Sequence, residues 1–176
     1  MTNSEQICSE LVKLYFFKEL EKSDLVYIDE ADNQEKELAD IILRVGNYIF
    51  TIQIKEMDDT SKDIQKWLDK KVYRNAKNQT KETCKRIFYD IKFKNTENRD
   101  ILDNVDKCTI IPIIIFDVKE KEIKYKKIYE TKDGKLLIHI FDLKDFKYLC
   151  QKIICPMEMV RYIDERKNYV RLPIVS

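Results

Sequence analysis

Asp40, Gln53 and Lys55 are the residues of this chain whose types and spacing can do chemistry. They lie in KELADIILRVGNYIFTIQIKE, which runs from Lys36 to Glu56 and reads as two strands over 37–56 joined by Gly46-Asn47, a tight hairpin signal. With those two residues as the loop, Val45 faces Tyr48 and Asp40 lies directly across from Gln53. Ile42, Arg44, Ile49, Thr51 and Lys55 share that face. The other face carries Ala39, Ile41, Leu43, Val45, Tyr48, Phe50, Ile52 and Ile54, all apolar, and belongs to a core. Directly opposed Cβ atoms are roughly 4.5–5.5 Å apart and diagonal neighbours roughly 7–8 Å. That geometry suits a divalent metal held by Asp40, with Lys55 close enough to touch a bound phosphate.

Scarcity narrows the chemistry further. The chain has one histidine, His139, and two glycines, Gly46 and Gly134. One histidine excludes His-rich zinc sites and most triads with a histidine base, and His139, inside the apolar run LLIHIFD, reads as structural. Two glycines exclude a Gly-rich phosphate loop. Carboxylate, amide and lysine chemistry remains, which points to a hard metal ion. Cys8, Cys84, Cys108, Cys150 and Cys155 are odd in number and lack CxxC spacing. They read as reduced, mostly buried thiols of a cytoplasmic protein.

The net charge of +1 conceals an asymmetry. Residues 1–40 hold eleven acids against four bases, and residues 61–95 hold eleven bases against four acids. Either these are two solvated faces of opposite sign, or a cation-binding pole lies beside a polyanion-binding pole. No apolar run approaches the ~20 residues of a membrane span, so no membrane partner is expected. The start, MTNSEQICSE, has neither the basic opening nor the apolar segment of an export signal. At 176 residues the chain is most naturally one domain.

The elements that must position the polar trio follow from periodicity. Residues 4–21 read as an amphipathic helix capped by Asn3 or Ser4, with Glu5 and Glu10 beside its buried stripe. Leu25 to Ile28 is extended, and residues 29–36 are an acidic loop. After the hairpin, Asp59, Thr60 or Ser61 caps a long helix over 62–89, with Ile64, Trp67, Leu68, Val72, Ala76, Cys84, Ile87 and Phe88 facing inward; the run without Pro or Gly reads as one helix, with a break near Asn75 to Asn78 as the alternative. Asn78 and Gln79 fall at the boundary between its polar and apolar faces. Residues 94–106 are a connection with a short helical turn. CTIIPIIIFD (108–117) is a buried strand with a bulge or an edge at Pro112. Residues 118–130 alternate as an exposed strand, Asp133-Gly134 turns, and 136–142 is a further strand. Helices over 143–153 and 157–167 follow, the second opened by Pro156. The abrupt apolar tail suggests one domain of a longer chain.

Ala39-Asp40, twelve intervening residues, then Gln53-Ile54-Lys55 resembles the core motif of the PD-(D/E)XK nuclease superfamily. The form with Gln in place of the second acid is similar to the branch holding Mrr-type restriction enzymes and nuclease-related domains. The resemblance covers residues 4 to about 117. It implies an α/β, restriction-endonuclease-like fold: an α-β-β-β-α-β core, here about 4–142, with a central mixed sheet flanked by helices, C-terminal helices at 143–167 completing the 1–176 domain. It implies Asp40 as principal metal ligand, Gln53 as second ligand or orienting group, and Lys55 on the scissile phosphate or attacking water. Glu5, or failing it Glu10, matches the first-helix glutamate that several members add to the metal site.

The resemblance therefore implies a Mg²⁺ (or Mn²⁺) dependent DNA endonuclease, of a restriction or phage-defence kind, with RNA not excluded as substrate. Lys62, Lys66, Lys70, Arg74, Lys77, Lys81 and Lys85 of the long helix would face the nucleic-acid backbone. Cutting both strands generally needs two sites, which suggests a homodimer or a partner protein or domain. The alternative is a catalytically silent module of the same fold that binds nucleic acid or protein. Its bland form is a polar cluster on a sheet that does no chemistry.

Overall fold

The alternation that organises the hairpin is realised in a mixed sheet covered by helices on both faces. The computed structural model describes residues 2–16, 21–23, 25–29, 32–58, 63–88, 101–119, 123–132 and 134–171. In chain order these form α1 (Asn3–Phe16), β1 (Glu21–Ser23), β2 (Val26–Asp29), β3 (Gln34–Glu37), β4 (Ile41–Val45) and β5 (Tyr48–Glu56). A continuous helical stretch follows, α2 (Ile64–Trp67), a π-helical segment (Leu68–Ala76) and α3 (Lys77–Arg86). The chain then forms β6 (Thr109–Asp117), β7 (Ile128–Glu130), β8 (Leu137–Asp142), α4 (Leu143–Lys152) and α5 (Pro156–Arg171).

The main sheet has six strands in the order β1-β4-β5-β6-β8-β7, and β2 with β3 forms a separate two-stranded sheet. Pairing is antiparallel from β1 through β5, parallel from β5 to β6 and β6 to β8, and antiparallel between β8 and β7. Gly46 takes φ +57°, as the hairpin turn demands, and Val45 opposes Tyr48 as the sequence requires.

Both faces of the hairpin are buried. Ile41, Leu43, Phe50, Ile52 and Ile54 pack against Cys8 and Val12 of α1, Phe146 and Cys150 of α4 and Met159 and Ile163 of α5. Ile42 and Ile49, on the face of the polar trio, pack with Leu25, Tyr27, Leu38 and Ile87. Ala39 joins this second cluster, because the strand begins only at Ile41 and the alternation does not reach back to it. Further along, Leu68, Val72 and Ala76 cover Ile114, Phe116, Ile138 and Ile140. That face opens as a polar cleft at its Asp40–Lys55 end, while at the turn end Arg44 donates to the Ile101 and Asp103 carbonyls.

Several boundaries differ from the sequence reading, each for a local reason. The described part of α1 ends at Phe16, and its cap is Thr2: Thr2 Oγ1 accepts the Glu5 N–H at 3.2 Å while Glu5 Oε2 accepts the Thr2 N–H at 2.6 Å, a reciprocal capping box. The acidic loop holds a strand, β3, antiparallel to β2. The long helix is capped by Asp63, whose carboxylate accepts the Lys66 N–H; Asp59, Thr60, Ser61 and Lys62 lie outside the described residues. The helix does not break near 75–78 but returns there from π to α geometry. Residues four apart drift by roughly 40° per step on an α-helix. The wider π turn drifts the other way, so Ile64, Leu68, Val72, Ala76 and Thr80 hold one inward stripe.

Pro112 lies in a central strand, not an edge strand. It opposes Thr51 of β5, and the ladder to β8 begins one residue later at Ile113, so at the proline the strand has a neighbour on one side only. Among the described residues of 118–130, Ile128–Glu130 is the strand; Tyr125 turns inward, edge-on to Phe116 with ring centroids 5.0 Å apart. The last helix runs from Pro156 to Arg171, longer than the spacing indicates. No described helix is long and apolar enough to cross a membrane.

Candidate functional site

Asp40 immediately precedes β4. One step beyond the first pair, Ile41 opposite Ile52, the register places it across from Gln53. Its Oδ2 accepts the backbone N–H of Ile54, which pins the carboxylate to the strand between Gln53 and Lys55. Asp40, Gln53 and Lys55 line one open cleft of about 660 Å³, and Glu5 reaches it from α1. The structure thus gathers the polar trio and the first-helix glutamate in one place. Glu10 is not among these residues; it is exposed and accepts a hydrogen bond from Gln6 at 3.0 Å.

Gln53 is 5% exposed, and among the described residues none hydrogen-bonds its carboxamide. It lines the open cleft, and among the described residues the buried side-chain polar atom without a partner is Thr80 Oγ1 rather than an atom of Gln53. Lys55 is half-buried, and no described residue forms an ion pair with it.

The facing wall is α3, which presents Asn78, Gln79, Glu82, Thr83 and Arg86. Their spacing is one polar stripe of a helix, a signal legible in the sequence but assigned there only for Asn78 and Gln79. Thr83 fixes the crossing by donating its hydroxyl to the Leu38 carbonyl at 2.5 Å. At one end the cleft is closed by charge pairing: the buried Asp29 holds Lys36 at 2.8 Å and Arg86 at 2.9 Å, and Arg86 lies 4.9 Å from the Tyr27 ring centre.

Beside the trio, on the opposite face of β5, a second network anchors α1. Glu56 Oε2 accepts the Ser4 N–H at 2.8 Å, and Ser4 Oγ donates to Asp117 at 3.0 Å. Lys119 completes it by pairing with Glu56 and lying 3.6 Å from Asp117. Burial works to raise the Glu56 carboxyl, but the Lys119 ammonium and the Ser4 donors outweigh it and hold it at about 2. Because Ser4 adjoins Glu5, this network sets where the first-helix glutamate enters the cleft.

The lysines of the long helix divide between two places. Lys66 and Lys70 line a neighbouring cleft that shares Lys55 with the first. Lys81 and Lys85 line a separate pocket with Tyr129, Lys132 and Lys135, and Lys77 lies 4.4 Å from the centre of the Tyr129 ring. Arg74 is exposed on the π-helical segment. The basic helix is thus not a single wall.

His139 is 1% exposed and structural. Arg166 approaches its Nδ1 at 3.4 Å and donates to the Lys127 and Ile140 carbonyls at 2.9 and 2.8 Å. Since a guanidinium only donates, Nδ1 is the acceptor and the imidazole is neutral. Burial, then the adjacent Arg166, push His139 down to about 3. All five cysteines are free, and burial raises the thiols of Cys8, Cys84 and Cys150, leaving no reactive thiolate among those three near neutral pH.

Among the described residues no three histidine, cysteine or acidic side chains converge into a metal-binding group. The cleft is lined by the carboxylates of Glu5, Glu37, Asp40 and Glu82 and by the carboxamides of Gln53, Asn78 and Gln79; of these, Asp40, Glu5 and Gln53 are a set suited to a hard cation that keeps several waters. Comparison with family models, with curated proteins and with solved structures returned no match.

Proposed function

We propose that this chain is a divalent-metal-dependent endodeoxyribonuclease on a restriction-endonuclease-like core. The observation that carries the reading is the convergence of Asp40, Gln53, Lys55 and Glu5 on one cleft, with the Asp40 carboxylate held by the Ile54 N–H between Gln53 and Lys55. The element order supports it: a helix, three antiparallel strands (β1, β4, β5), a long helix and a parallel strand (β6) follow one another in the order an α-β-β-β-α-β core would have, with β2 and β3 between the first two strands.

Asp40 would be the main ligand of Mg²⁺ or Mn²⁺, with Gln53 Oε1 and Glu5 completing the protein's share. Bound there, the metal would polarise a phosphoryl oxygen and acidify water for in-line attack. The Asp40–Ile54 hydrogen bond fixes the direction of the principal carboxylate. Lys55, two residues beyond Gln53 on the same face, places an ammonium where charge grows on the phosphate. Asn78 and Gln79 offer neutral hydrogen-bonding groups to the substrate from the opposite wall. The test is strand cleavage of supercoiled, linear and single-stranded DNA in Mg²⁺ or Mn²⁺ against a chelator control; no cleavage across those substrates contradicts the proposal.

One observation favours a second reading, a catalytically silent nucleic-acid-binding module. The opposed pair is Asp40 and a neutral Gln53 rather than two acids, and Glu5 also closes the α1 capping box. This reading predicts salt-sensitive binding to DNA without metal-dependent cleavage.

A further inference from the structure

Lys55 lines two clefts, and the second leads from the proposed site along the start of the long helix. It measures about 550 Å³, the size range of small-ligand sites, with room for one nucleotide. Its far wall is Trp67, Lys70 and Lys71 at the junction where the helix passes from α to π geometry. Trp67 is the chain's single tryptophan and half-buried: one side packs against the cluster of Leu68, Val72 and Phe116, and the ring also lines the cleft.

The charges of this cleft favour an anion. Of its three acids, Glu56 is held by Lys119 and Ser4, Asp63 is used by the helix cap and by Lys66 at 3.5 Å, and the exposed Asp58 stands against Lys55, Lys70 and Lys71. Among the described residues none pairs with Lys70 or Lys71. An indole face beside unpaired ammonium groups is the arrangement that holds single strands: bases stack on the ring and phosphates meet the lysines.

We propose that the cleft between Lys55 and Lys71 binds one unpaired nucleotide of a nucleic-acid strand, its base on Trp67 and its flanking phosphates on Lys70 and Lys71. Resting on the nuclease reading, this makes the substrate a strand that is single or locally opened beside the phosphate that Lys55 contacts. It also sets a direction, since the strand runs from Asp40 past Lys55 to Trp67.

The single tryptophan permits a direct test on the unaltered protein. In chelator, so that no cleavage intervenes, a short oligothymidylate is titrated while Trp67 emission and its access to acrylamide are followed; binding is followed in parallel by anisotropy of a labelled oligonucleotide. The expected result is quenching and protection of Trp67 at the concentrations where anisotropy rises, lost with an abasic oligonucleotide of equal charge. Trp67→Leu should weaken binding about tenfold and Trp67→Phe much less. Lys70→Ala with Lys71→Ala should lower the salt slope by about 0.7 per lysine. Saturated binding with unchanged Trp67 emission, or equal quenching by the abasic strand, would overturn the proposal and leave the nuclease reading standing. Quenching and protection without cleavage in Mg²⁺ or Mn²⁺ would do the reverse.

Discussion

The Asp40 carboxylate accepts the backbone N–H of Ile54, the residue between Gln53 and Lys55. One hydrogen bond therefore joins the candidate metal ligand to the strand that carries both of its partners, and it separates two effects of mutation. Asp40→Ala leaves that N–H without its acceptor, which costs about 1–3 kcal/mol. Asp40→Asn keeps an acceptor oxygen and removes only the charge. Thermal melts should show Asp40→Ala several degrees below wild type and Asp40→Asn close to it, with both losing any response to Mg²⁺. Equal melting temperatures for the two variants would remove the structural role assigned to this bond.

Gln53→Glu would set a second carboxylate directly across from Asp40 in a buried position. Like charges so opposed are destabilising, and burial adds to the cost. In chelator the variant should melt below wild type by about 1–3 kcal/mol of stability. Millimolar Mg²⁺ should restore most of the loss, because a ligand that binds only the folded state stabilises it by mass action. A melt insensitive to Mg²⁺ would show that the pair does not hold a cation.

Acid should destabilise the fold in two stages. His139, held at about 3 in the fold against 6.5 in the unfolded chain, contributes stability that is complete above pH 6.5 and declines as pH falls toward 3, because the unfolded state takes up the proton first. The slope from this group is at most about 1.4 kcal/mol per pH unit. Glu56, held at about 2 against 4.5, adds a loss that begins below pH 4.5. Denaturant unfolding between pH 7 and pH 5 should flatten in His139→Gln. An unchanged slope in that variant would mean that His139 is not the group responsible.

Glu56→Ala would release the Ser4 N–H and the Lys119 ammonium together, at a cost of about 2–4 kcal/mol. Because Ser4 precedes Glu5, amide exchange should accelerate across the first turn of α1 before it does elsewhere. Uniform acceleration through the chain would place the network in global stability rather than in positioning that turn.

The hairpin was legible because Gly46-Asn47 between two apolar-rich strands sets the register, and that register gathers the trio. Its second buried face was not, since Ile42 and Ile49 alternate with Asp40, Arg44, Thr51 and Gln53, and only the crossing of α3 decides which of these are covered. Strand β3, Gln34-Glu35-Lys36-Glu37, has no apolar residue to announce it; it is secured by Asp29 pairing with Lys36 while Asp29 also holds Arg86, far along the chain. The π-helical segment lacks Pro or Gly and follows from packing on β6 and β8, which periodicity alone does not encode. The same applies to the α3 wall of the cleft, whose polar stripe was present in the sequence but had no visible destination.

The most direct measurement compares wild type, Asp40→Asn and Lys55→Ala on supercoiled and single-stranded DNA in Mg²⁺ and in Mn²⁺, with matched circular dichroism spectra. Wild type should cleave in a metal-dependent way, and each variant should lose about a hundredfold or more. Equal cleavage by all three proteins, or none by wild type on any of these substrates, would contradict the nuclease reading.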